Sequence, residues 1–184
     1  MRPDDARGVV EALRSAGFDF ATTLPATQVH SLQGALHDEP SILTVAVTNE
    51  GEGAAICAGA WMAGKVPFMV IETSGILVAT YALLRCHATF GVPTLMLSTY
   101  RGQLGEQEWY AVQTGAALPG VLQAMRIPSR VVEDIGEVPA ALLEARRSMD
   151  ASMHPVSVVL GGRVTRPSDR ATEAANQGEA PTAA

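Results

Sequence analysis

Short apolar runs of strand length alternate with helix-length stretches along nearly the whole chain, and this alternation limits the folds open to it more than any other feature. Phe18 to Leu24, Ile42 to Val47, Val66 to Ile71, Pro93 to Ser98, Arg130 to Val132 and Val156 to Leu160 are rich in Val, Ile, Leu and Phe. They read as strands buried on both faces. Helical stretches are expected over about Thr27 to His37, Glu50 to Ala63, Gly75 to Phe90, Pro119 to Met125 and Glu137 to Met149. An earlier helix carries Ala6, Val9, Val10 and Leu13 on one face and stops before Gly17. Gly64-Lys65-Val66-Pro67, Phe90-Gly91-Val92-Pro93 and Met125-Arg126-Ile127-Pro128 each end a helix and launch a strand. The expected fold class is α/β: a three-layer sandwich with a central parallel sheet of about six strands and helices on both faces.

Length and charge narrow the function. A chain of 184 residues, 47% hydrophobic, suffices for one ordinary domain. That domain is placed at residues 1–164. Residues 165–184, rich in Ala, Thr, Glu and Pro without periodicity, are expected to be a disordered tail. A net charge of -6, no basic cluster and 5% aromatic residues exclude a nucleic-acid footprint. The amino-terminal pattern reads as neither a signal peptide nor a membrane span, so a cytoplasmic protein is expected. Cys57 and Cys86 lack metal-ligand or Cys-x-x-Cys spacing and read as small buried hydrophobes.

In open parallel sheets, ligands bind beyond the carboxyl ends of strands. Four loops there are distinctive: Leu24 to Gln28, Thr48 to Gly53, Glu72 to Gly75, and Ser98 to Glu106. The second delivers Glu50 to the first turn of a helix whose next residues, Gly53 to Ala60, are nearly all small. Small residues let another body approach closely. Glu50 and Glu52 could equally do no more than complement the helix dipole, worth roughly 0.3–1 kcal/mol. A Rossmann-type site is disfavoured, because Gly51-Glu52-Gly53 lacks the third Gly of that fingerprint.

The run Asn49-Glu50-Gly51-Glu52-Gly53-Ala54 through Gly59, with Gly64-Lys65 after it, resembles the pyrimidine-binding domain of thiamine-diphosphate enzymes. Within that family it is most similar to the alpha chain of sulfopyruvate decarboxylase and the matching part of phosphonopyruvate decarboxylase. Leu24-Pro25, Thr73-Ser74-Gly75, Gly91-Val92-Pro93, and Tyr100-Arg101-Gly102 with Gly105-Glu106 extend the likeness over nearly the whole expected domain. The resemblance implies a 2-oxoacid decarboxylase. Glu50 would hold a proton on the cofactor's ring nitrogen N1′ by a charge-assisted hydrogen bond. The activated C2 carbon would then attack the keto carbon, and carbon dioxide would leave. Glu52 is the alternative acid. Pro25, Thr27, Thr73, Ser74 and Gly75 are the further cofactor-binding candidates. Because Gly-Asp-Gly, the family's magnesium-diphosphate signature, is absent, the resemblance implies that Mg²⁺ and the diphosphate are held by a separate beta subunit in a heterodimer or heterotetramer.

A 2-oxoacid with a second anionic end would need donors, and Arg101, Gln28 and Gln113 are the substrate-binding candidates. His30 and His87 read as helix-face or core residues, and His154 as structural. Where the relatives have an Asn-Ser-Gly-Leu-Gly-Asn type of loop, this chain has Thr73-Ser74-Gly75-Ile76-Leu77-Val78, preceded by Glu72. The less polar loop and added carboxylate disfavour a strongly anionic substrate. A carboligase sharing the first half-reaction, or a non-catalytic subunit of the same fold, are the other readings. Trp61, Trp109 and Tyr110 could line an apolar pocket or belong to core or interface.

Overall fold

The computed structural model describes residues 1–165. The expected tail lies outside the described residues from position 166 on, while its first residue, Thr165, is buried at the end of a short helix.

Six strands form one sheet: β1 (Phe20–Thr23), β2 (Leu43–Ala46), β3 (Pro67–Ile71), β4 (Leu95–Thr99), β5 (Ser129–Val132) and β6 (Val156–Leu160). All neighbouring pairs are parallel, in the order β2-β1-β3-β4-β6-β5. With helices on both faces, this is the three-layer α/β sandwich the alternation implies. Burial on both faces holds for β1, β3, β4 and β6. It fails for β2 and β5, whose residues are mostly half-buried or exposed. They are the two edges, where an apolar run in the sequence carries no mark of its position in the sheet.

One layer consists of α1 (Pro3–Ser15), α2 (His30–His37) and α6 (Val138–Ser152). The pattern of α1 accounts for its form: Pro3 opens it, Asp4 and Asp5 meet its positive end, and Arg14 lies in its last turn. Its Ala6, Val9, Val10 and Leu13 join Phe18, Phe68, Leu142 and Met149 in one core cluster. Phe18 and Phe68 meet edge to face at 5.6 Å. Each such side chain contributes about 1.5–3 kcal/mol by leaving water.

The opposite layer is α3 (Glu50–Met62), α4 (Thr73–Ala82) and α5 (Trp109–Ala124), packed in that sequence through Cys57, Ile76, Leu83 and Leu118. The helix expected through Phe90 instead widens to a π-type segment at Leu83–Ala88. There His87 turns inward, its Nδ1 3.0 Å from the Val92 carbonyl and its Nε2 2.7 Å from that of Ala54. The helix expected to begin at Pro119 begins at Trp109, with Pro119 inside it. Proline ordinarily opens helices, but here the buried stripe of Ala111, Gly115, Leu118 and Leu122 runs past it.

The chain steps from β1 outward to β2, then returns to the other side of β1 for β3. That reversal sends the loops after β1 and β3 in opposite directions, and in open parallel sheets the carboxyl ends at such a point are where ligands bind.

Candidate active site

Four strand ends converge on this edge of the sheet. After β2, Asn49 caps α3 by accepting a hydrogen bond from the Gly51 N–H at 2.8 Å. Glu52 reaches back to the Thr48 N–H (2.9 Å) and hydroxyl (2.8 Å), contacts that hold its carboxyl below the usual range. Glu52 is therefore engaged in closing the helix start. Glu50 differs. It is half-buried, and its carboxylate makes no hydrogen bond or ion pair with any described residue.

Glu50 lies against the first turn of α4. A Cβ added at Gly75 would stand 2.8 Å from Glu50 Oε1 and 2.9 Å from its Cγ. The glycine at this position thus makes room for the carboxylate. The preceding Thr73 is fully buried and joins neighbouring loops: its hydroxyl donates to the Thr99 carbonyl at 2.6 Å and accepts from the Arg101 N–H at 2.9 Å. Ser74 is exposed on the outer side of α4. After β1, Gln33 pins the loop by donating to the Leu24 carbonyl at 2.6 Å, leaving Pro25 and Thr27 exposed. Gln28 is half-buried, with Oε1 out of contact with solvent and without a partner.

The loop after β4 is the most tightly built. Arg101 donates from Nε to Glu106 Oε2 at 2.9 Å and from Nη2 to Oε1 at 3.2 Å. The Glu106 carboxylate also accepts from the backbone N–H groups of Gly102, Gln107 and Glu108. The two side chains are 9% and 2% exposed. Their mutual bond holds Glu106 at about 2, well below an ordinary carboxyl. The Arg101 guanidinium also stands 5.8 Å over the Tyr110 ring. Thr27, Gln28, Arg101, Glu106, Glu108 and Tyr110 line a recess of about 290 Å³. Gln113 lies elsewhere, exposed on α5.

Of the residues expected at the site, the structure brings Glu50 and Gly75 into contact, and gathers Thr27, Gln28 and Arg101 around one recess. Thr73 acts through its bonds to the backbone. Sequence reasoning missed Gly115, where the Arg101 carbonyl occupies the space a Cβ would need, so that α5 can lie against this loop. Its one signal was the small-residue run Gly115-Ala116-Ala117. The central role of Glu106 was missed too, although Gly105-Glu106 belongs to the motif.

No family model matches the chain. Among curated proteins, the chain is 30% identical over 149 residues to the sulfopyruvate decarboxylase alpha subunit of Methanothermobacter thermautotrophicus, covering 81% of this chain and 86% of that one. This chain belongs to the sulfopyruvate decarboxylase alpha-subunit family. The corresponding subunit of Methanocaldococcus jannaschii is 30% identical over 66% of this chain and 72% of its own length. The phosphonopyruvate decarboxylase of Streptomyces viridochromogenes is 28% identical over 56% of this chain but only 26% of its own length. The alpha-subunit family thus matches at full-domain scale, and the longer enzyme matches through one part.

Proposed function

We propose that this chain is the pyrimidine-binding subunit of a thiamine-diphosphate-dependent 2-oxoacid decarboxylase. The observation that carries the reading is Glu50: a half-buried carboxylate with no hydrogen-bonding partner among the described residues, held at the carboxyl edge of the sheet over a glycine. Its neighbour Glu52 is occupied with the Thr48 backbone and hydroxyl, which favours Glu50 as the cofactor acid.

The residues present fit a ring that offers an N–H. The Glu50 side chain fills the space a Cβ at Gly75 would need, which sets its unpartnered carboxylate at this edge as an acceptor for such a group. Thiamine diphosphate, when bound, supplies the nucleophilic carbon and the electron sink that decarboxylation requires. Glu50 holds a proton at pyrimidine N1′ through a charge-assisted hydrogen bond. Thr73 fixes the loop after β3 against β4, so that Gly75 and Glu50 keep their register. Pro25, Thr27 and Ser74 present exposed groups along the same edge.

The partner is read from the outer faces of α3, α4 and α5. Beyond Glu50 and Glu52 these helices carry no charged residue, and they are apolar nearly all round. Met62, Val78, Tyr81 and Trp109 stand exposed on them. Helices of that composition are normally covered. A second subunit holding magnesium and the diphosphate covers this layer in our reading, and the word alpha in the relatives' names supports it.

Co-expression with a chain carrying the Gly-Asp-Gly signature tests the reading. The purified complex should release carbon dioxide from a 2-oxoacid only when thiamine diphosphate and Mg²⁺ are added, and neither chain should do so alone. A stable complex inert toward every 2-oxoacid tried would favour a non-catalytic subunit.

A further inference from the structure

The helix that begins beside Gly75 crosses the turn of α3 that carries Glu50. A Cβ at Gly75 would stand 2.8 Å from Glu50 Oε1, and one at Gly51 would stand 3.8 Å from the Ala82 Cβ. α4 then runs without a break into the π-type segment Leu83–Ala88, whose wider turn aims His87 at the same part of α3. The imidazole is fully buried, with Nε2 2.7 Å from the Ala54 carbonyl and Nδ1 3.0 Å from that of Val92. Ala54 follows Glu50 by one turn of the helix. Thr22 reaches the neighbouring Gly53 carbonyl only at 3.5 Å, so His87 makes the shorter polar tie to this turn. Burial holds His87 below the usual imidazole range, and a neutral ring has a single N–H for the two oxygens it faces. The shorter contact places that proton on Nε2.

We propose that His87 is a positioning residue for Glu50: its Nε2–H, bonded to Ala54, fixes the turn of α3 that carries the carboxylate. Its part in catalysis rests on the decarboxylase reading, whereas its hold on Glu50 does not.

Asn presents its amide nitrogen near where Nδ1 stands, and Gln near where Nε2 stands. His87→Asn therefore keeps a donor for Val92, His87→Gln keeps one for Ala54, and His87→Phe keeps neither. In the two-subunit complex, His87→Phe and His87→Asn should each lower kcat for the 2-oxoacid about tenfold or more with KM little changed, as when a catalytic group is displaced. His87→Gln should restore most of the loss. In the isolated chain, nitrogen NMR should find the wild-type ring proton on Nε2. The carbon resonance of the Glu50 carboxylate should move in His87→Phe and His87→Asn but hold in His87→Gln. A ring proton on Nδ1 alone overturns the inference and leaves the decarboxylase reading standing. So does a folded His87→Phe with wild-type kcat and an unmoved Glu50 resonance, or a His87→Asn that matches His87→Gln. A wild-type complex silent toward every 2-oxoacid overturns the decarboxylase reading, and the two spectra still decide whether His87 holds Glu50. Should none of the variants fold, the place of the ring proton in wild type decides.

Discussion

Two glutamates lie two positions apart in the first turn of α3, and their surroundings give them different work. Glu52 closes the helix start through Thr48, so Glu52→Ala, which removes the acceptor, should lower the midpoint of urea unfolding, whereas Glu52→Gln, which keeps one, should lower it less. Glu50 contacts the bare face of Gly75, and Gly75→Ala would put a methyl group 2.8 Å from its Oε1. The carboxylate must then turn aside. Decarboxylation by the complex should fall at least about tenfold on this change, as expected when a catalytic group is displaced by a fraction of its bond length. Glu106 makes a prediction about acid. Its carboxyl is held near 2 against an ordinary 4.5, chiefly by Arg101. A depressed carboxyl contributes stability that is complete above the unfolded value and is lost as pH falls from 4.5 toward 2. The stability advantage of wild type over Glu106→Gln, measured by urea melts, should therefore be larger at about pH 6 than at about pH 3.

At the scale of elements, α5 rests on the loop after β4 because Gly115 has no side chain. The Arg101 carbonyl and the Gly102 Cα fill the position of its missing Cβ, and Gly102 itself takes φ +74, a conformation suited to glycine. Gly115→Ala should destabilise the protein by about 1–3 kcal/mol, seen as a lower midpoint in thermal unfolding. This contact also shows where sequence reading stops. Residues alternating between buried strand and amphipathic helix betray their element locally, which is why the central strands and α1 are legible. The approach of two backbones distant in sequence leaves only a small residue as its trace, and Gly115 resembles any other glycine in a helix. Pro119 misled for a related reason: its preference for a helix start is local, whereas the buried stripe of α5 is set by the sheet beneath it. The two residues that meet at α3 and α4, Glu50 and Gly75, were legible as a pair of candidates because both belong to a recurrent loop motif. The engagement of Arg101 by Glu106 was not, since the spacing of an Arg and a Glu does not say whether they meet each other or a ligand.

The molecule as a whole has two unlike faces. The α1, α2 and α6 layer carries ion pairs such as Arg2–Asp5 and Arg146–Asp150, as a solvent face does. The α3, α4 and α5 layer instead exposes Met62 at 70%, Tyr81 at 77% and Trp109 at 84%. No described helix is long and apolar enough to cross a membrane. A second protein surface is the cover we assign to that layer. Tyr81→Arg, on an already exposed position, should change the stability of the isolated chain by no more than about 0.5 kcal/mol. The same change should abolish co-elution with the partner subunit on size-exclusion chromatography; undiminished co-elution would show that the partner docks elsewhere. The central claim is that one carboxylate of this chain serves the cofactor, and the most direct measurement compares carbon dioxide release by complexes carrying Glu50→Gln or Glu52→Gln. The account predicts a loss of about 10²-fold or more for the first with the complex intact, and a change within a few-fold for the second. Equal rates for wild type and Glu50→Gln, or a collapse confined to Glu52→Gln, would contradict it.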